Sequence, residues 1–263
     1  MASGLGRRVT ELLRDGGAPC AGSGIPLWEH PQWRERFPWL IQGVTGTGPA
    51  EQPLDMALFG DYCTRDVMER WWALARATGA LELVHGHQVH REAVRVHAGG
   101  RPGLHVHPGT DGHVTRTPGV LLTVSVADCV PISLVEPERR AVALLHGGWR
   151  GISSGILERA VAVLAERLAA RAENLHLHLG PAICGECYEV GAEVHVGLGL
   201  PAPRAPAPVD LRSVLAERAR RAGVPDDHIT TSTHCTRCEH TAFFSHRTGH
   251  TERQAAVLGI RTA

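Results

Sequence analysis

Apolar residues return along this chain in two rhythms, one helical and one alternating, and their succession predicts a layered mixture of helices and strands. From Asp66, a residue suited to cap a helix, Val67, Trp71, Leu74 and Ala75 recur at helical spacing until Gly79 offers a left-handed stop. Short β-rich runs follow at 81–84, 93–97, 120–126, 132–135 and 141–145, several apolar enough to be covered on both faces. The longest predicted helix spans 153–172, with Ile156, Leu157, Ala160, Val161, Leu164 and Leu168 on one stripe and Glu158, Arg159, Glu166 and Arg167 outside it. A strand at 175–179, a Gly180-Pro181 turn and a Pro/Ala linker at 201–208 come next. Asp210 then caps a helix ending at Gly223, and strands at 229–232, 242–245 and 255–260 complete the order. Residues 1–40 show no sustained period and read as an N-terminal extension with one short helix near Thr10 to Arg14, leaving 41–263 as the catalytic domain. The succession suggests an α+β or α/β layered domain, and periodicity alone does not choose between them.

Composition narrows the class of partner. A chain of 263 residues, 43% hydrophobic and 21% charged, is long enough for a sizeable core within one domain. Its formal net charge of +0 gives no electrostatic reason to expect nucleic acid or an anionic membrane, so a small molecule is the expected partner. Lys is absent from the sequence, so every fixed cation is Arg, which suits bidentate phosphate binding, though a GC-rich coding bias is the plainer source. The N-terminus lacks the apolar core of a secretory signal, which predicts a cytoplasmic protein. Seven Cys, an odd number, then point to reduced thiols used for metal binding or catalysis rather than a disulfide framework.

Three segments place a borderline or soft metal ligand beside turn residues at a predicted strand end: Gln88-Val89-His90, Ala127-Asp128-Cys129-Val130-Pro131 and His146-Gly147-Gly148-Trp149-Arg150-Gly151. Two imidazoles and a thiolate match the donor preference of Zn²⁺, and three protein ligands leave the fourth tetrahedral position open. Taken singly, each His or Cys is more often structural than a ligand.

At these residues the chain resembles the YfiH/laccase-domain family, whose members carry the polyphenol oxidase name and are associated with purine nucleoside phosphorylase activity. The family's "QVHG", "ADC-P", "HAGWRG", "GPaI…YEVG" and "FFSyRR" segments correspond to 88–91, 127–131, 146–151, 180–191 and 243–247, in the same order. The resemblance implies an α+β fold, a layered α/β/β/α sandwich with mixed sheets. It further implies that His90, Cys129 and His146 hold Zn²⁺, and that purine nucleosides (adenosine, inosine, guanosine, methylthioadenosine) and phosphate are the substrates, with adenosine deaminase as a second activity. Arg150 and Arg247 are candidates to hold phosphate and Arg70 a weaker one. Asp128 would either orient a ligand imidazole or bond its own backbone.

The chain departs from the family at three places. Arg91 replaces the usual Gly after the "QVH" histidine, Thr45-Gly46-Thr47-Gly48 lacks the Arg of a "TR-GG" turn, and Pro53-Leu54-Asp55-Met56 lacks the Asn of "SLNL". If that Arg binds phosphate in relatives, phosphorolysis is weakened here.

Other chemistries compete. Cys184-x-x-Cys187 and Cys235-x-x-Cys238 resemble halves of a four-Cys zinc site, but the insert between them exceeds compact zinc-ribbon spacing, which argues against it. The His85/His87, His105/His107 and His176/His178 pairs fit copper only loosely, because no Cys, His and axial Met stand at blue-copper spacing; copper is disfavoured. Cys129 with His146 or His90 as base would make a metal-free cysteine hydrolase, for instance on a peptidoglycan precursor. A fourth ligand such as His87 would instead close the site into a non-catalytic metal-binding protein.

Overall fold

The computed structural model describes residues 6–14, 25–60 and 63–262. In chain order the strands are β1 (Arg7–Val9), β2 (Leu12–Arg14), β3 (Leu27–Glu29), β4 (Leu40–Thr45), β5 (Glu82–His87), β6 (Val94–His97), β7 (Gly103–Pro108) and β8 (Gly112–Thr115). They continue as β9 (Val120–Val126), β10 (Val130–Glu136), β11 (Ala141–Gly147), β12 (His176–Leu179), β13 (Glu189–Val190), β14 (Ala207–Pro208), β15 (Ile229–Ser232) and β16 (Gln254–Ile260). The helices are α1 (Pro31–Arg36), α2 (Thr64–Thr78), α3 (Trp149–Ser153), α4 (Ile156–Leu168), α5 (Ala192–Gly197) and α6 (Leu211–Arg221).

Two seven-stranded mixed sheets carry the fold, one ordered β1-β15-β12-β10-β11-β8-β6 and the other β2-β3-β4-β16-β9-β5-β7. Alternation along single strands explains why they stack. In β11, Ala143 and Leu145 join Ile132, Leu134 and Leu177 under α4 and α6, while Val142 and Leu144 face the other sheet and pack with Leu122, Val124 and Leu258. In β9, Leu121 turns outward to meet Trp71 and Leu74 of α2. Three apolar layers therefore separate four structural ones, helices outside and sheets within, as in the α/β/β/α arrangement. Removing any of these buried large side chains forfeits about 2–5 kcal/mol of burial and packing.

The N-terminal residues supply edges to both sheets. β1 runs parallel to β15 in the first, and β2 pairs antiparallel with β3 in the second. The helix expected near Thr10 to Arg14 is instead strand β2, because pairing with Leu27–Glu29 satisfies a segment too short to sustain helical hydrogen bonds. Glu11, 2% exposed, pins this segment inward: its carboxylate accepts hydrogen bonds from His178 Nε2 and Ser232 Oγ, both at 2.7 Å.

Other expectations shift in detail. Helix α2 starts at Thr64 with Cys63 as its cap rather than Asp66, and ends at Gly79 in the left-handed conformation, φ 70°. The helix expected over 153–172 is shorter at both ends: left-handed Gly155 (φ 87°) separates α4 from α3, left-handed Ala169 (φ 53°) ends it, and Val163 rather than Val161 completes its buried face. Asp210 caps α6 through the N–H groups of Arg212 and Ser213. The strand expected at 242–245 is irregular: the Gln254 side-chain amide accepts from Phe244 N–H and donates to Phe244 C=O, taking the place of a strand partner.

Candidate metal centre and its cleft

β9 ends at Val126 in one sheet and β10 begins at Val130 in the other, so Ala127, Asp128 and Cys129 carry the chain between sheets. Asp128 makes the corner in the left-handed region at φ 82°, an uncommon conformation that a short polar side chain tolerates. β11 lies beside β10 with His146 opposite Pro131, which brings His146 alongside Cys129. His90, also left-handed at φ 58°, closes the group from the loop after β5. One ligand atom of each of His90, Cys129 and His146 lies within 4.8 Å of the others, and the two imidazole centroids are 4.6 Å apart, edge to face.

Asp111, which the sequence did not single out, organises this cluster. Its fully buried carboxylate accepts His146 Nδ1–H at 2.9 Å and the backbone N–H groups of Val89, His90 and Arg91 at 2.9, 2.9 and 3.1 Å. Its backbone C=O accepts His146 N–H at 2.8 Å. An ionised carboxylate can only accept, so Nδ1 carries the proton it takes and Nε2 is the ring nitrogen left to face a metal. Burial raises the Asp111 carboxyl, but the His146 hydrogen bond, the Val89 and Arg91 N–H groups and the charge of His146 outweigh it and hold the acid below its ordinary range.

Burial likewise raises the Cys129 thiol, yet the charge and hydrogen bond of His146, joined by those of His90, bring it down to about 6. Burial disfavours the His146 cation, while the Cys129 thiolate and Asp111 together lift that imidazole to about 9. The backbone also leaves room: a Cβ at Gly148 would stand 2.8 Å from His90 Cδ2 and 3.2 Å from Cys129 Sγ. Two nitrogens and a readily ionised sulfur thus fit a divalent metal of borderline softness. Among the described residues no fourth His, Cys, Asp or Glu joins the group. His87, proposed above as a closing ligand, lies outside it and packs its ring 4.6 Å from Phe59.

Two lobes of one cleft meet at His90, Ala127, Cys129 and His246. The first, about 390 Å³, has Phe59, His85, Gln88, Ser125 and Arg253 in its wall. The second, about 320 Å³, is lined by Trp149, Arg150, Tyr188 and Arg247. Both lie in the size range of small-molecule sites.

The predicted residues divide by location. Arg150 stacks on Trp149 at 4.5 Å and Arg247 on Tyr188 at 4.9 Å, both exposed in the second lobe. Arg70 lines neither lobe and donates to the Asp55 carbonyl at 2.8 Å. Asp128 does neither task expected of it: its carboxylate accepts from Thr236 Oγ1 at 2.6 Å and Arg247 N–H at 2.8 Å, tying two loops to the cysteine corner. Asp55, standing where relatives carry Asn, uses one oxygen to accept from both Ala57 N–H and Arg253 N–H, a task an amide oxygen performs equally. The His pairs suspected of copper binding are engaged elsewhere. His85 bonds Thr123, His105 bonds the Arg101 carbonyl, His178 bonds Glu11 and Thr230, and His176 stacks on His228. Cys184, Cys187, Cys235 and Cys238, which their spacing argued against combining, do converge: their sulfurs all lie within 4.8 Å of one another. Chain separation misled here because the sheet strands β12 and β15 bring the two segments side by side.

Residues 48–261 match the family described as multi-copper polyphenol oxidoreductase laccase. The chain belongs to that laccase family. Among curated relatives, adenosine deaminase RL5 from an unknown prokaryotic organism is 41% identical over 53% of this chain and 57% of its own length. Purine nucleoside phosphorylase YlmD of Geobacillus stearothermophilus is 39% identical over 59% and 61% respectively, so the chain spans less than two thirds of either relative. A purine nucleoside phosphorylase of Deinococcus radiodurans is 37% identical over 74% of the chain and 78% of that protein. The crystal structure of Geobacillus stearothermophilus YlmD superposes with a TM-score of 0.81 at 31% identity, covering 95% of this chain and all of that one. Within the laccase family, then, the chain shares the YfiH/YlmD fold. No helix among the described residues is long and apolar enough to cross a membrane.

Proposed function

We propose that this laccase-family chain is a zinc-dependent purine nucleoside phosphorylase that also deaminates adenosine. The observation that carries the reading is the two-lobed cleft, whose lobes share His90 and Cys129 and differ in chemistry. Phe59, whose ring lies at 28° to that of His85, offers a flat aromatic wall to a purine base in the first lobe. Arg150 and Arg247, each splayed over an aromatic ring, offer paired donors to a phosphate in the second. The names of the relatives, phosphorylase and deaminase, agree with a nucleoside in the one lobe and phosphate in the other.

His90, Cys129 and His146 would hold the zinc ion, which when bound supplies Lewis-acid polarisation of an oxygen on substrate. The chain's own residues supply the geometry. Arg150 and Arg247 align a phosphate oxygen with the anomeric carbon, so that the new C–O bond forms as the bond from carbon to base nitrogen breaks. The departing base takes that electron pair and needs a proton; His246, outside the ligand set and facing both lobes, is placed to deliver it. Deamination would use the same aromatic wall, with water forming a bond to the purine carbon as its bond to the exocyclic nitrogen breaks and ammonia leaves with a proton from that water.

One observation favours a second reading: the Cys129 thiol, held near 6 between two imidazoles, is also equipped as a nucleophile in a metal-free hydrolase. Incubating the purified chain with adenosine, with and without phosphate, and separating the products decides between them. Adenine with ribose 1-phosphate, or inosine, upholds the purine reading provided chelation abolishes it. Turnover that survives chelation supports the thiol nucleophile, and the absence of both products sinks the purine assignment.

A further inference from the structure

Outside the cleft, the densest unassigned chemistry is the four-cysteine cluster. We propose that Cys184, Cys187, Cys235 and Cys238 bind a second, structural zinc ion that clamps together the two loops walling the phosphate lobe. Sulfurs around a tetrahedral zinc stand about 3.8 Å apart, given Zn–S bonds of about 2.3 Å. The cluster matches that spacing: all four sulfurs fall within 4.8 Å of one another, and Cys187 Sγ and Cys238 Sγ are 3.4 Å apart, far beyond a disulfide bond of about 2.05 Å.

The surrounding backbone is arranged for thiolates. Cys235 Sγ accepts N–H groups from Cys184 at 3.2 Å and Cys238 at 3.5 Å, the second being the turn N–H of its own Cys-x-x-Cys segment. The other pair makes a matching turn, with Cys187 N–H donating to the Cys184 carbonyl at 3.1 Å. Arg212 adds an independent sign. It is 2% exposed, its Nη1 donates to the Ser232 and His234 carbonyls, and its buried Nε has no hydrogen-bond acceptor. Asp210 Oδ1 stands 3.9 Å from that Nε, beyond hydrogen-bond reach. Four thiolates around a divalent ion carry a net charge of about −2, which a buried guanidinium complements. A divalent cation is the species that draws four converging thiols together as thiolates.

The clamp sits where it bears on the cleft. Cys187 directly precedes Tyr188, the ring beneath Arg247, and a β-bridge joins Ala182 to Cys235. Thr236, between the last two cysteines, donates to Asp128, whose other oxygen holds the Arg247 backbone and whose carbonyl accepts Ile183 N–H at 3.1 Å. Fixing the four sulfurs therefore fixes both loops against the corner that presents Cys129.

Metal content of the full chain tests this independently of the cleft. The His90→Ala/Cys129→Ala variant, purified from zinc-containing medium under reducing conditions, is expected to retain about one zinc ion per chain. Its cobalt-loaded form should show strong sulfur-to-cobalt absorption, and adding Cys187→Ser and Cys238→Ser should abolish both signals. If that four-site variant does not fold, the metal count and cobalt spectrum of the double variant decide alone. A double variant without metal overturns the proposal, as does a mass showing the four thiols oxidised to two disulfides. A wild-type chain that carries a single zinc ion, retained in the double variant, would sink the catalytic reading and leave this one standing.

Discussion

Asp111 holds His146 at 2.9 Å through Nδ1 and, with the same carboxylate, holds the backbone of the loop that carries His90. One acid thus orients one candidate ligand and positions another. Asp111→Asn keeps an acceptor for the loop N–H groups but removes the charge that fixes the imidazole. Metal affinity should fall about 10–100-fold, as for other partners of ligating histidines, with little change in fold. Competition against a fluorescent chelator reads this out; an affinity within about twofold of wild type would refute the role.

Gly148 is needed for space rather than for backbone freedom, since its φ of −77° suits any residue. Gly148→Ala would press a methyl group onto His90 and Cys129. We expect metal occupancy and turnover to drop by at least about tenfold while the melting temperature stays within a few degrees, because strain falls on one rotamer of an exposed loop histidine. Full occupancy in the variant would show that the cluster tolerates the intrusion.

Arg247 contributes two separable things: its backbone N–H braces Asp128, and its guanidinium faces the second lobe. Arg247→Ala preserves the first and removes the second. The expected result is a KM for phosphate raised about 10–100-fold, the worth of a charge-assisted hydrogen bond, with nucleoside deamination nearly unchanged. Equal loss of both activities would place Arg247 in general structure instead. Arg150→Ala should behave alike.

Glu11 ties the N-terminal segment to β12 and β15 of the first sheet, and its pH signature is specific. Burial raises its carboxyl, but the hydrogen bond and charge of His178, with the Ser232 hydroxyl, leave the folded acid below its ordinary 4.5. A depressed carboxyl stabilises the fold fully above the unfolded value and loses that contribution as pH falls through the folded one. Glu11→Gln should therefore cost about 2–3 kcal/mol near neutral pH, and the gap from wild type should close as pH drops below 4.5. Urea midpoints across that range measure it; a gap that persists or widens on acidification contradicts the assignment.

Much of the fold was legible in the sequence wherever pattern alone dictates structure. The continuous apolar run of β9 and the stripe of α4 can be stable only when buried, and Gly79 can only end a helix. His90, Cys129 and His146 were nominated by donor chemistry at strand ends, and by resemblance, before any distance was known. Neighbours in sequence carried no such signal for Asp111, which acts on residues 20 to 35 positions away. Residues 242–245 misled for a related reason: Phe243 and Phe244 have strand-like composition, but a glutamine ten positions later satisfies the backbone.

Local rhythm, turn residues and ligand chemistry are properties of short stretches of chain, and the sequence by itself determined those. Which stretches become neighbours is set by strand pairing over long separations. Only the tertiary structure decided that β9 hands the chain to the opposite sheet at Cys129, that Asp111 rather than Asp128 orients His146, and that two distant Cys-x-x-Cys turns close on one point. The physical reason is that hydrogen bonds and coordination distances act over a few ångströms in space, without regard to the number of residues between.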